Sequence, residues 1–360
     1  MISSGLSKLH FFIPRLEFFR SFCISRTTFS VEALTSISDD FIKDNEKRLL
    51  KIAIVGAPNA GKSTLINQIV KRKVFPISKK VHTTRFRAKA IYNEGNVQLV
   101  FLDTPGLVTA NESQKYKLRP DFLSGGEDAI VEADVIGVVH DMSNHYTRKH
   151  LDEKVLRLLH IYQNKESFLI LNKIDTVKSK RNLLDITKML TGGVLNKDRN
   201  FEGNTLSEKS IQDIIKNKKS WEHFNYVFMI SALLGTGTPE LKTYLLKAAH
   251  YCDWLFPENV FTDQNHVQII KETVRSKLLE HLPQEIPYNL KVELEYLDLD
   301  KEDSVSAVVI IGCDTPRIEN LVRGSRGGRI RRIAIEAEQS LSDAFLTNFY
   351  LRLVVCGKQL

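Results

Sequence analysis

The segment Gly56-Ala57-Pro58-Asn59-Ala60-Gly61-Lys62-Ser63 constrains this chain more than any other. Its spacing, a glycine, four residues, then Gly-Lys-Ser, is that of a phosphate-binding loop. The flanks are the ones such a loop needs. Leu49–Val55 is a short apolar run with β-branched residues and reads as a buried strand. Thr64 to Val70 reads as a helix. A strand that turns through glycines into a helix offers backbone N–H groups and the positive end of a helix dipole to phosphate oxygens. In that pattern Lys62 reaches the β- and γ-phosphates, and the Ser63 hydroxyl binds Mg²⁺. Gly56, Ala57, Pro58, Asn59, Ala60, Gly61, Lys62, Ser63 and Thr64 are therefore candidate nucleotide-binding residues. The implied fold class is α/β, with a doubly wound sheet behind the loop.

Three further strands end in polar motifs. Val97–Leu102 runs into Asp103-Thr104-Pro105-Gly106, and an Asp at the end of an apolar strand after a P-loop is placed to hold Mg²⁺. Asp103 and Gly106 join the candidates. Phe168–Leu171 runs into Asn172-Lys173-Ile174-Asp175, which resembles the Asn-Lys-x-Asp guanine signature of GTPases. A carboxylate at Asp175 can accept from guanine N1–H and the exocyclic amine; adenine lacks that donor pair. This argues for GTP and GDP as ligands and against a P-loop metabolic kinase. Tyr226–Ile230 runs into Ser231-Ala232-Leu233, which resembles the element that touches the guanine base through backbone N–H groups. Between the loop and Asp103 lies Val81-His82-Thr83-Thr84-Arg85. Thr84 is taken as the switch residue that completes the Mg²⁺ shell beside γ-phosphate, with Thr83 the alternative, since spacing does not separate neighbouring hydroxyls. Lys62 and Thr84 are the candidate catalytic residues.

After Phe256-Pro257 the pattern changes. Thr262 to Glu280 reads as a helix, with Val267, Ile270, Val274 and Leu278 at spacings of three and four and Thr262 or Asp263 as its cap. Strands follow at Leu290–Leu297 and Ser304–Ile311, a helix at Pro316–Val322, the loop Gly324-Ser325-Arg326-Gly327, a helix from Gly328 to Ser340 and a strand at Phe349–Val355. Helix, strand, strand, helix, Gly-x-x-Gly, helix, strand is the order of a type II KH domain, a smaller α+β unit whose glycine loop clamps a nucleic-acid backbone. Residues 316–333 hold six arginines (317, 323, 326, 329, 331, 332) against Glu319. Gly324, Ser325, Arg326, Gly327, Arg323 and Arg329 are the candidate RNA-binding residues.

The ends and the middle of the chain add less. Residues 1–31 carry Lys8, Arg15, Arg20 and Arg26 against Glu17, interleaved with Phe11, Phe12, Leu16, Phe18 and Phe19. That is the composition of a mitochondrial transit peptide. The formal charge of the whole chain is +8, and +5 remains without this leader, so the basic balance is only partly a targeting signal. Cys23, Cys252, Cys313 and Cys356 lie far apart with no Cys-x-x-Cys pair, which suits a reducing compartment and excludes a disulfide scaffold. There is no apolar run of about 18 residues, so no membrane-spanning helix is expected. Residues 178–222, with ten basic and six acidic residues, read as a variable insertion and a solvated loop, although Leu183–Leu190 has a helical stretch. The expected organisation is a leader over 1–48, a GTPase domain over 49–256 and a KH domain over 257–360.

These residues resemble the Era family of GTPases. The resemblance rests on residues 56–67, Thr83-Thr84-Arg85, Asp103-Thr104-Pro105-Gly106-Leu107, and the junction Lys277-Leu278-Leu279-Glu280-His281-Leu282-Pro283-Gln284-Glu285-Ile286-Pro287-Tyr288. It covers roughly residues 50–355, and with the leader it points to the mitochondrial members. It implies a GTP-hydrolysing RNA chaperone that binds small-subunit mitochondrial rRNA near its 3′ end and assists assembly of the small ribosomal subunit. It further implies Mg²⁺ as cofactor and a place in the mitochondrial matrix with peripheral contact to the inner membrane; a monomer is the default expectation. Leu107 stands where many signalling GTPases carry a water-orienting Gln, and Asn59 is similar to an Asn that binds K⁺ in related GTPases. One departure is Arg323, where the family usually shows Ile before the first loop glycine. The contrasting reading is a membrane-associated GTPase switch whose basic C-terminal domain meets anionic lipid or a protein partner.

Overall fold

A computed structural model describes residues 46–77, 88–103, 121–194, 208–283, 286–301 and 304–357. Residues 1–45 of the leader, Thr83, Thr84, Arg85 and the stretch Thr104–Leu107 lie outside the described residues.

In chain order the first part contains β1 (Arg48–Val55), α1 (Lys62–Val70), β2 (Lys89–Glu94), β3 (Val97–Asp103), α2 (Asp121–Glu132), β4 (Val135–Asp141), α3 (Glu153–Ile161), β5 (Glu166–Asn172), α4 (Lys180–Leu190), α5 (Glu208–Asn217), β6 (Tyr226–Met229), α6 (Thr238–Ala248) and β7 (His250–Tyr251). The strands form one sheet in the order β2-β3-β1-β4-β5-β6, with the short β7 antiparallel to the start of β1. β2 is antiparallel to β3, while β3, β1, β4, β5 and β6 run parallel. Central parallel strands are covered on both faces, which is why β1, β3, β4 and β5 read as near-continuous apolar runs. One face is packed by Leu65, Ile66, Ile69 and Val70 of α1 and Leu241 and Leu245 of α6. The other is packed by Val155, Leu156 and Leu159 of α3 together with residues of α4 and α5. This is the doubly wound arrangement of a P-loop GTPase.

The expectation of a solvated loop over 178–222 is corrected. α4 buries Leu183, Ile186 and Leu190, and α5 buries Ile211 and Ile215, all at helical spacing. Trp221 and Phe224 are buried in the same cluster, and Trp221 Nε1 donates to Ser167 Oγ at 3.2 Å. The polar residues between these apolar positions hide the stripe, so composition alone suggested solvent. Residues 195–207 of this segment lie outside the described residues.

From His250 the chain runs along the β2–β3 edge of the sheet. Gln98, fully buried in β3, accepts from the backbone N–H of Leu255 and Phe256 at 3.0 and 3.1 Å and donates to the Phe256 carbonyl at 2.9 Å. Further along, Ile91 N–H donates to the Phe261 carbonyl at 2.9 Å, Thr262 bridges Ala90, and Asp263 accepts from Lys89 N–H at 2.8 Å.

The next helix, α7 (His266–His281), therefore does not start at Thr262 or Asp263. Both are occupied at the strand edge, and the cap is Asn265, whose side chain accepts from Gln268 N–H at 2.7 Å. β8 (Lys291–Lys301), β9 (Ser304–Gly312), α8 (Pro316–Arg323), α9 (Gly328–Phe345) and β10 (Asn348–Cys356) follow. The second sheet has the order β10-β9-β8, with β10 parallel and β8 antiparallel to β9. Val305, Ala307, Val309 and Ile311 alternate inward from β9 and meet Ile270, Val274 and Leu278 of α7 and Ile333, Ala337 and Leu341 of α9. With the glycine loop between α8 and α9, this is the type II KH fold. Among the described residues no helix is long and apolar enough to cross a membrane, and Cys252, Cys313 and Cys356 are free thiols.

Candidate functional site

The sequence-predicted nucleotide residues converge at the carboxyl ends of β1, β3, β4, β5 and β6, the edge where open α/β sheets hold ligands. The loop after β1 has to lie close against its neighbours. A Cβ on Gly56 would stand 2.3 Å from the Val139 carbonyl oxygen, and one on Gly61 would stand 2.2 Å from Asn172 Nδ2. Gly61 also sits at φ +99°, a conformation that costs little only for glycine. Asn59 takes the left-handed region at φ 60°, which Asn tolerates better than most residues, and it is exposed.

Lys62 opens α1, and its Nζ donates to the Gly56 and Ala57 carbonyls at 3.0 Å each. Burial pushes this ammonium below its usual range, and the nearby carboxylates of Asp103 and Asp152 push back. A buried cation of that kind is most at ease beside an anion. Ser63 and Thr64 follow at half-buried positions, and the N-terminus of α1 has no side-chain cap, leaving its first N–H groups for an incoming acceptor. Asp103 ends β3 in register with Ile54, and it is buried. The Ser63 hydroxyl and Asp103 carboxylate are hard oxygen donors, a set that fits Mg²⁺.

Asn172 ties three of the motifs together. Its side chain is 1% exposed. Nδ2 donates to the Ala60 carbonyl at 2.8 Å; Oδ1 accepts from Lys173 N–H at 2.8 Å and Ala232 N–H at 2.9 Å. Lys173 Nζ reaches the Asn59 carbonyl at 2.8 Å and Asp141 Oδ2 at 2.6 Å. Asp175 lies in the short turn Ile174–Thr176 and is exposed. Ser231 and Ala232 are buried, and Ser231 Oγ accepts from Leu234 N–H at 3.3 Å, while Leu233 is open to solvent. Gly106 and Thr84 lie outside the described residues. Asp141 is the site residue that motif reading misses. The available signal was its place at the end of the apolar run Val135–Val139, the same position that Asp103 holds on its own strand.

A second candidate surface is the loop between α8 and α9. Its two glycines differ. Gly324 (φ +69°) is packed: a Cβ there would stand 2.6 Å from Arg329 Cβ. Gly327 (φ +74°) has nothing within 4 Å of a Cβ position, so its open side faces free space. Arg326 at the tip adopts φ 48° and is exposed with Ser325. Arg323 donates to Glu319 Oε1 at 3.0 and 2.7 Å and to the Val355 carbonyl at 2.8 Å, and Arg329 donates to the Leu321 carbonyl. Those two arginines therefore brace the loop, with their charge kept beside it. Arg317, on the first turn of α8, and Arg331 and Arg332, near the start of α9, are exposed.

A family model described as a 50S ribosome-binding GTPase matches residues 51–173. The chain is 36% identical to the mitochondrial GTPase Era of Danio rerio, over 85% of this chain and 74% of that one. It is 34% identical to the mitochondrial GTPase Era of Salmo salar, over 91% and 80%. Among solved structures it is similar to a crystal structure of Era in complex with MgGDPNP and nucleotides 1506–1542 of 16S ribosomal RNA. That match has TM-score 0.66 and 27% identity, and covers 86% of this chain and 94% of that one. An Aquifex aeolicus Era variant bound to GDP and AlF4⁻ matches equally well in fold, at TM-score 0.66 and 26% identity. With the P-loop, the guanine-type motif and the Gly-x-x-Gly loop on two sheets in this order, the chain belongs to the Era family and is a GTPase.

Proposed function

We propose that this GTPase binds small-subunit mitochondrial rRNA near its 3′ end in the mitochondrial matrix and assists assembly of the small ribosomal subunit. The observation that carries this reading is the match to the Era–rRNA complex over 86% of this chain, on a chain whose own loop leaves Gly327 open next to the exposed Arg326. The names of the fish relatives support the compartment.

In this reading the loop of residues 56–64 cradles the phosphates with its N–H groups, and Lys62 neutralises charge at the β- and γ-oxygens. Ser63 and Asp103 would hold Mg²⁺, joined by Thr84 or Thr83, and Gly106 belongs to the GTP-binding set. Mg²⁺ bound there supplies Lewis-acid stabilisation of charge on the phosphate oxygens. Asp175 accepts from the guanine base, and Ser231, Ala232 and Leu233 close over it. Leu107 can neither donate nor accept a hydrogen bond, so hydrolysis is slow until a partner or a monovalent cation assists. Asn59 is assigned to K⁺. Hydrolysis is then several-fold faster in K⁺ than in Na⁺ at equal ionic strength, and Asn59→Ala removes the difference; equal rates in both salts discard this role. GTP state and RNA binding are linked reciprocally. The chain segment 250–265 supports that link, because it ties α7 to the start of β2, directly after residues 78–87.

The test is crosslinking of the full chain to RNA in isolated mitochondria, followed by sequencing of the attached RNA. Crosslinks are expected to concentrate near the 3′ end of small-subunit rRNA. Scattered or absent crosslinks with GTP binding intact overturn the reading, and salt-sensitive binding to anionic vesicles in their place favours the membrane switch.

A further inference from the structure

We infer that Asp141 is a positioning residue for the nucleotide: it holds the Lys173 ammonium against the P-loop and so sets how long guanine nucleotide stays bound. The inference rests on reading residues 172–175 as the guanine motif. The geometry begins with the sheet. Asp141 ends β4 directly beside Asn172 at the end of β5, and Met142 N–H donates to the Asn172 carbonyl at 3.0 Å, so the two strand ends are locked together. The Asp141 carboxylate divides its two oxygens between two tasks. Oδ1 accepts from Ser143 N–H at 2.8 Å and Ser143 Oγ at 2.6 Å, which fixes the carboxylate plane. Oδ2 accepts from Lys173 Nζ at 2.6 Å. Burial alone would raise this carboxyl, but the hydrogen bonds from Lys173 and Ser143 outweigh it and keep it ionised.

Lys173 is held at both ends. Its backbone sits at φ 63°, in the left-handed region, and its N–H is fixed by Asn172 Oδ1. Its Nζ bridges Asp141 and the Asn59 carbonyl, which belongs to the exposed left-handed residue of the P-loop. An ammonium has three donors, and two are spent here, leaving one for a ligand oxygen. A free lysine side chain loses rotamer entropy when its head is fixed. A carboxylate that holds the head in place removes that cost before the nucleotide arrives. Without Asp141, both the Lys173 head and the Asn59 turn lose a restraint. The cleavage step is not at Lys173, so the effect falls on release, which is where most affinity changes appear.

The experiment is the dissociation rate of a fluorescent GDP from the full-length protein, with steady-state kcat and KM. Asp141→Ala is expected to speed release by about tenfold, with a matching rise in KM and kcat within about twofold. Asp141→Glu should recover part of the loss, and Asp141→Asn less. Lys173→Met keeps the apolar stem and removes the ammonium; in that background Asp141→Ala should add less than about twofold, because its partner is already gone. Multiplicative effects in the double variant, or unchanged release in Asp141→Ala, overturn the inference. Those outcomes differ from failure of the underlying reading, which would appear as wild-type GTP binding after Asp175→Asn.

Discussion

Gly327→Asp is expected to weaken binding of an rRNA 3′-end fragment by about 30- to 100-fold, equivalent to roughly 2–3 kcal/mol, while GTP hydrolysis and Tm stay close to wild type. The two glycines of the loop make this a clean experiment. At Gly327 the backbone is left-handed, a conformation that Asp tolerates better than most residues, and a new Cβ meets nothing within 4 Å. The fold therefore has little to object to. An approaching phosphate backbone, however, meets a side chain and a negative charge where it needs bare backbone among arginines. Gly324→Ala is the contrasting variant. Its Cβ would stand 2.6 Å from Arg329 Cβ at φ +69°, so about 2–3 kcal/mol of stability should be lost and Tm should fall with it. Fluorescence anisotropy and thermal melting separate the two. Equal RNA affinity in Gly327→Asp and wild type would remove the loop from the RNA site.

Asp175→Asn is expected to lower GTP affinity by about 100-fold or more and to create affinity for XTP. A carboxylate presents two acceptors to the N1–H and exocyclic amine of guanine. An amide presents one acceptor and one donor, which suits the N1–H and 2-oxo group of xanthine and leaves the guanine amine facing another donor. Asp175 is exposed, so the exchange should leave the sheet and its melting temperature unaltered. Competition of GTP and XTP against a fluorescent GDP measures the switch, and unchanged preference for GTP would remove Asp175 from the base site. Asn172, three residues earlier but buried, would be a poor substitute for this test: its side chain joins Ala60, Lys173 and Ala232, and its loss would remove all three of those links at once.

Much of this molecule can be read from the chain alone, for a physical reason. The P-loop, Asp103 and the Asn172–Asp175 motif each follow an apolar strand, and each works through residues adjacent in sequence, so local spacing carries both the fold and the chemistry. The alternation in β9 and the arginines around Gly324–Gly327 announce the second sheet and its loop in the same way. Segments whose fate depends on distant partners read less well. Leu183, Ile186, Ile211 and Trp221 are scattered among charges, and they look solvated until α3 and β5 are there to cover them. Thr262 and Asp263 are good helix caps by residue type, but β2, about 170 positions earlier, claims them first.

By itself the sequence determined the order of elements around the second sheet, the nucleotide class and the presence of a glycine loop in a basic setting, because these rest on periodicity and on side chains within a few residues of one another; the strands Lys89–Glu94 and Val135–Asp141 of the first sheet are not read from it. The tertiary structure alone decided which residues act together. Asp141 meets Lys173, and Lys173 meets Asn59, only where the carboxyl ends of parallel strands lie side by side. Gly324 and Gly327 are equivalent in the motif and become different only when Arg329 packs over one of them and leaves the other open. Long-range pairing, burial and the space beside a backbone are properties of the folded chain, and spacing along the sequence does not encode them locally.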